Sequence, residues 1–373
     1  MSRFNRRFVL KGAAAALAAP AVLRARDALA SSGSVNVFAW GDYIQDNQIA
    51  WFEEKTGIKV NLSTYGSNDE AQQKLKAAGG KGFDVIFPSV TNVVGYRDGD
   101  QFLLQEIDES KIDMEKIIPS MVRDSIALGA VQDGKRVALP FNWGTEAVTF
   151  DSSVHDLADA DVSYGSLWSG KAKSAALRQR SGIMGVGLYL DATGEVPSNR
   201  MLDIYASEAE ARRVWDKVAE FIIKNKGDIG AFWNNATEAG NAFSQQGCSI
   251  GQTWDTTGIL LARQDAKWKY RMPKEGGLTW LDSVAIPVGA ENLDQAYAFI
   301  NACYEGEMAG LHVANTGYNS AAVEAAAHAG EDYAKTFAEI YTPEALANLW
   351  WWQADTPWIT PLTQEYVDKI TNA

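Results

Sequence analysis

Val35-Asn-Val-Phe-Ala-Trp40, Ile58-Lys-Val-Asn-Leu-Ser-Thr-Tyr65 and Phe83-Asp-Val-Ile-Phe87 are three strand-like runs separated by two helix-like ones. Their alternation decides the fold class. The first run alternates in hydrophobicity and turns out through Gly41-Asp42-Tyr43; Asn47 to Thr56 follows as a helix, with Ile49 and Phe52 inward and Gly57 as its stop. Ser67-x-x-Glu70 reads as a capping box for a second helix, running to Ala78 and ended by Gly79-Gly80. Strand, helix, strand, helix, strand is the order of an α/β domain with a largely parallel sheet. Ligands bind such open sheets off the carboxyl ends of the strands. Trp40 and Ser89 follow the first and third strands, so a site is expected beside them.

Further along, Val137 to Pro140 reads as a short strand, and Phe141-Asn-Trp143-Gly-Thr-Glu146-Ala-Val-Thr-Phe150 as a second extended segment crossing between two bodies. Residues 151–250 make an α/β region of their own, with an amphipathic helix from Glu208 to Asn225 that turns Val214, Trp215, Val218, Phe221 and Ile222 inward. Cys248 to Trp254 is a strand ending in Trp254-Asp255. The chain returns through Met272-Pro-Lys-Glu-Gly-Gly-Leu-Thr-Trp280-Leu-Asp282-Ser-Val-Ala-Ile-Pro287. There, strand alternation sets Trp280 and Asp282 side by side on one face. An indole beside a carboxylate can hold an ammonium group, through the ring quadrupole and charge-assisted hydrogen bonds. A core Trp with an Asp ending its strand is the other reading of the same spacing. Asp294 to Tyr304 is a packed helix, and the tail carries Leu349-Trp-Trp-Trp-Gln353, expected to pack back on the second body.

The 373 residues suffice for two well-filled domains, and thirteen Trp is a high count. Arg3, Arg6, Arg7 and Lys11 precede the Ala-rich run Gly12 to Leu23, with Ala28-Leu29-Ala30 offering a cleavage site before Ser31. Residues 1–30 therefore read as an export signal, and Asn5-Arg-Arg-Phe-Val-Leu-Lys11 resembles a twin-arginine motif. Without residues 1–30 the chain keeps 28 Lys and Arg against 46 Asp and Glu, a net charge of −18. That excludes nucleic acid as an expected partner and suits a cationic ligand. Cys248 and Cys303 fall in different bodies and are expected to be free thiols. His155, His312 and His328 show no metal-ligand spacing, and Gly182-x-x-Gly185-x-Gly187 is not a dinucleotide fingerprint in order or context. No metal or cofactor is implied, and no catalytic pattern marks an enzyme.

A set of short motifs runs in order through the chain: Trp40-x-x-Tyr43, Thr56-Gly-Ile-Lys-Val60, Phe83-Asp84 with Pro88-Ser89, Trp143-Gly-Thr145, Trp254, Pro273-Lys-Glu-Gly-Gly with Trp280-x-Asp282-Ser-x-Ala-Ile-Pro287, Gly317-Tyr318 and Trp352-Gln353. In these pieces the chain resembles the periplasmic spermidine/putrescine-binding proteins of ABC importers. The resemblance implies a two-lobed periplasmic binding protein of type II, with a ligand cleft between hinged lobes. The expected division is lobe 1 over 31–142 plus 283–318, and lobe 2 over 143–282 plus 319–373. By position, Trp40, Tyr43, Ser89, Trp143, Trp254, Trp280, Asp282, Tyr318 and Gln353 would line the cleft, with Asp282 as the amine-binding carboxylate. The implied partners are a small cationic amine and ABC-transporter permease subunits at the inner membrane. The protein is expected in the periplasm as a monomer.

One segment departs from that pattern. The lobe-2 stretch that carries paired acids in the family falls here on Leu177-Arg178-Gln179-Arg180-Ser181-Gly182. Glu146 and Asp255 would then substitute as amine anchors, or the ligand carries an anionic end as well as an amine. The same scaffold binding a zwitterionic amine, an anion or a sugar remains the alternative, with a secreted two-lobed enzyme as a remote one.

Overall fold

The computed structural model describes residues 33–354 and 356–373. The basic head, the Ala-rich run and the expected cleavage site lie outside the described residues. Eleven strands form one sheet: β1 (Ser34–Trp40), β2 (Lys59–Tyr65), β3 (Val85–Ile86), β4 (Ala138–Asp151), β5 (Ala175–Arg178), β6 (Ile229–Trp233), β7 (Ile250–Trp254), β8 (Trp268–Arg271), β9 (Leu278–Ala285), β10 (Asn319–Ser320) and β11 (Trp350–Trp351). The main path runs β6-β5-β7-β4-β9-β3-β1-β2, with β8 and β10 paired to β4 and β11 to β9. The expected parallel unit is present: β1 pairs in parallel with β2 and with β3. Between β1 and β2 lies α1 (Asp46–Thr56), and between β2 and β3 lies α2 (Asn68–Ala77). Gly57 closes α1 at φ +73°, in the left-handed region that a side chain would strain. Half of the capping box forms. Glu70 N donates to Ser67 Oγ at 3.1 Å, but the Glu70 carboxylate accepts from Gly66 N at 2.8 Å rather than from Ser67.

The third strand is shorter than its apolar run suggests, only Val85 and Ile86, because β9 reaches β3 through the single pair Ala285 and Ile86. The crossing segment is longer. Val137–Pro140 and Phe141–Phe150 are parts of one strand, β4, all fourteen residues of which are buried. Proline does not end it, because the β4–β9 ladder is bulged there. Asp282 pairs with Asn142 and Ser283 with Pro140, which leaves Phe141 as the extra residue, and Pro140 has no ladder N–H to waste.

Strands β4 and β9 carry the sheet from one hydrophobic core into another. The first core holds Val35, Phe52, Phe87, Trp143 and Ala147, with Leu281, Ile300 and Tyr341. The second holds Val148, Leu177, Val214, Trp215, Leu278 and Tyr366, and a small third cluster under β5–β7 holds Trp233, Phe243 and Cys248. These are the two lobes. Along β4 the packing passes from the first core at Ala147 to the second at Val148, and on β9 Leu281 packs in the first and Leu278 in the second. In the tail, Ala321, Tyr333, Ile340, Tyr341 and Leu349 pack in the first core, and Trp350, Ile359, Leu362 and Tyr366 in the second.

Lobe 2 is covered by α3 (Gln179–Ala192) and α4 (Glu208–Lys224), with Val214, Trp215, Val218 and Ile222 buried and Phe221 half-buried against Trp168. The Gly182, Gly185 and Gly187 run lets α3 lie close to its neighbours: a Cβ at Gly185 would sit 2.7 Å from Gln252 Oε1. Cys248 and Cys303 are both free and buried in separate clusters. Unfolding the protein without reductant should therefore expose two thiols to a thiol-reactive dye. A count of zero would require a bond between the lobes.

Among the described residues no helix is long and apolar enough to cross a membrane. No group of three or more His, Cys, Asp or Glu there could hold a metal ion.

Candidate ligand cleft

The cleft sits where the strand ends of both lobes face one another, a cavity of about 540 Å³. Trp40 ends β1 and Tyr43 comes from the turn after it, and Ser89 from the loop after β3. Glu146 projects from β4, Trp254 and Asp255 from the end of β7, and Trp280 and Asp282 from β9. Tyr318 follows Gly317, whose φ of +76° ends the preceding helix Gly306–Thr316.

Two sequence-derived positions fall elsewhere. Trp143 is fully buried in the first core, its Nε1 donating to Ser320 O at 3.0 Å and its ring 4.8 Å from that of Tyr341. The cause is register: Trp143 pairs with Leu281, and Gly144 with Trp280. Cross-strand partners share a face, so whatever puts Trp280 in the cleft turns Trp143 out of it. Gln353 lines an adjoining cavity, with its amide donating to Trp351 O at 2.7 Å.

The aromatic wall is built by close approach. Tyr318 meets Trp280 edge-on, centroids 5.2 Å apart at 90°. Trp280 lies over Gly144, where a Cβ would collide with Trp280 Cζ2, so only glycine leaves the indole this place. Trp40 is fixed by its Nε1 donating to Phe87 O at 2.9 Å.

The four carboxylates on the cavity wall differ in what they can still accept. A carboxylate offers about four acceptor positions. Glu146, only 1% exposed, has four donors of its own. Arg178 and Trp254 Nε1 (3.1 Å) reach Oε1, while Ser181 Oγ and Gln252 Nε2 (3.1 Å) reach Oε2. Asp255 also has four: Thr145 N, Asn319 Nδ2 and Tyr341 OH at 3.0–3.1 Å on Oδ2, and Thr256 N at 2.8 Å on Oδ1. Both acids line the cleft; Glu146 has two donors on each oxygen and no position left, while Asp255, 2% exposed, takes three donors on Oδ2 and one on Oδ1.

Asp282 differs. It is buried, with Tyr43 OH donating to Oδ2 and the Ser89 side chain as a second partner. The β4 bulge opposite Asp282 and Ser283, and the ties from Ser283 N and Oγ to Pro88 O, each 2.8 Å, hold the loop of Ser89 against it. Desolvation pushes the Asp282 carboxyl up to about 6, opposed by the Ser89 and Tyr43 hydrogen bonds and assisted by repulsion from Asp42. The Tyr43 hydroxyl is itself raised well above its usual range, first by burial and then by Asp282, and stays a donor. Behind Tyr43 the buried His312 lies with Nδ1 3.1 Å from Tyr43 O, and burial pushes its pKa down to about 4, so at neutral pH it is uncharged.

Five lining residues were not in the expected set: Asp42, Arg178, Ala236, Thr256 and Trp352. Asp42 is an exposed acid in the turn between Trp40 and Tyr43, and its place beside two cleft aromatics was the available signal. Trp352 belongs to the tail triplet, and nothing local distinguishes it from Trp350 or Trp351. Arg178 does face the cleft. Its guanidinium lies 4.5 Å from the centroid of Trp254 and is ion-paired with Glu146.

The protein-family model described as "bacterial extracellular solute-binding protein" matches residues 47–348 of this chain. The spermidine/putrescine-binding periplasmic protein of Salmonella typhimurium is 24% identical over 335 residues, covering 89% of this chain and 90% of that one. The putrescine-binding periplasmic protein SpuD of Pseudomonas aeruginosa is 28% identical over 273 residues, covering 72% of each. In three dimensions the chain is similar to PotD, the spermidine/putrescine ABC transporter substrate-binding protein of Streptococcus pneumoniae. The TM-score is 0.68 at 24% identity, over 91% of this chain and 98% of that one.

Proposed function

Because the chain belongs to the bacterial extracellular solute-binding protein family, we propose that it captures a polyamine or similar cationic amine for an ABC importer. The observation that carries the ligand class is Asp282. It is a buried carboxylate with acceptor capacity to spare, set between Trp280, Tyr318 and Trp40, with the Asp42 carboxylate nearby and no lysine on the cavity wall. An ammonium placed there gains charge-assisted hydrogen bonds from the acid, and the aromatic faces take its methylene chain.

The relatives reported above are named as binding proteins, which supports capture rather than catalysis as the role of the cleft. Binding is followed by closure of the lobes about β4 and β9, because both then share the desolvated ligand. The closed form is what the permease subunits at the inner membrane receive, with the protein acting as a monomer in the periplasm after export by the twin-arginine route.

Melting scans of the chain from Ser31 onward, with spermidine, putrescine, shorter amines, amino acids and sugars, test this reading. A ligand at 100 times its Kd adds about 2.7 kcal/mol to the folded state. Amine-bearing solutes should raise the melting temperature. A response to sugars or to simple anions alone would overturn the assignment.

A further inference from the structure

Beside the cleft lies a second cavity of about 450 Å³, and the two share Arg178 and Trp352 on their walls. Its lobe-2 side is formed by Arg178, Arg180 and Ser181 at the start of α3, with one acid, Asp69, on the lobe-1 side. Arg178 thus stands at the junction. One of its nitrogens is paired with Glu146, its guanidinium lies over the Trp254 ring, and its Nε is buried with no hydrogen-bond partner. An orphaned buried donor of this kind is costly to leave unmade.

Resting on the amine reading above, we infer that Arg178 sets the ligand's chemistry at its far end: the solute carries one cationic head, held at Asp282, and a carboxylate at the other end, received at Arg178 and the adjoining cavity. A diamine needs two acids with acceptor positions open. Of the four on the wall, Glu146 has none left, Asp255 is 2% exposed and already held by four protein donors, and Asp42 and Asp282 both belong to the head end, Asp42 acting on the Asp282 charge. At the far end the protein's own guanidinium already occupies the place at Glu146 that a second ammonium would take. A second ammonium would meet Arg178 as a like charge. A carboxylate there instead meets the guanidinium of a side chain that is 25% exposed, and a guanidinium presents its donors in a fork that fits carboxylates side-on. The first turn of α3 adds the positive end of its dipole to the same place.

Calorimetry at pH 7.5 with three series of equal chain length tests this: linear diamines, linear ω-amino carboxylates and linear monoamines. The best ω-amino carboxylate should bind at least tenfold more tightly than the diamine of the same length. In Arg178→Met, which removes the guanidinium and opens an acceptor position on Glu146, that ratio should fall at least tenfold. A diamine that binds wild type as tightly as the matching ω-amino carboxylate, or a ratio unchanged in Arg178→Met, overturns the inference while the amine assignment stands. Failure of all three series to bind removes both. Should Arg178→Met not fold, the wild-type ratio decides alone.

Discussion

Replacing Asp282 with alanine is expected to weaken binding of the amine by about 2–5 kcal/mol, because the ammonium is then buried in the cleft without its counter-charge. Trp280→Ala, which removes stacking and apolar contact but no charge, should cost about 1–3 kcal/mol. The alanine at 282 also leaves Tyr43 OH without its acceptor, so lost affinity could arise from a disturbed site. Asp282→Asn separates the two causes. The amide keeps an oxygen for Tyr43 and removes only the charge, so the free protein should melt no lower than wild type at pH 8 while the amine affinity collapses. Calorimetry and melting on the same samples check this. Unchanged amine affinity in Asp282→Ala and Trp280→Ala together would remove the site from this face of β9.

The second large effect is a pH dependence of opposite sign in the free and the loaded protein. Burial pushes both Asp282 and Asp255 up to about 6 in the folded state, against about 3.9 in an unfolded chain. A folded pKa above the unfolded one means that the folded state holds its proton longer. Each group's contribution is fully favourable below about pH 4 and is lost as pH rises through about 6, a change of roughly 3 kcal/mol per group. The amine needs Asp282 ionised, so its affinity should fall by up to tenfold per unit as pH drops below about 6 and level off above it. Subtracting the Asp282→Asn melting profile from that of wild type isolates this group from the many surface acids whose shifts run the other way. Asp255→Asn should change the stability profile alone, since four protein donors already occupy that carboxylate. Affinity that stays flat between pH 5 and 7.5 would sink the role given to Asp282.

The parallel β2-β1-β3 unit and the pairing of Trp280 with Asp282 were legible because both depend on periods that local sequence carries: 3.6 for a helix, two for a strand. The place of the candidate cleft followed from the strand order, since Trp40 and Ser89 had to emerge at the carboxyl ends. The two free thiols followed from which lobe each cysteine serves. Closure of β4 at Pro140 was misread because a proline ends a strand only where its missing N–H would be needed. That need vanished at a bulge with a partner 140 residues away in sequence.

Tertiary structure alone decided which acids remain available to a ligand. Glu146 and Asp255 look like Asp282 in the sequence: acids beside aromatics near strand ends. Their donors come from Ser181, Gln252, Asn319 and Tyr341, residues 35 to 106 positions away, and whether an acceptor is filled is a property of those distant contacts. The same holds for Trp143, which shares a strand with Glu146 but is turned into the core by its register with β9. Local periodicity tells which side chains share a face; only the assembled sheet tells which face looks into the cleft, and which of its charges are already answered.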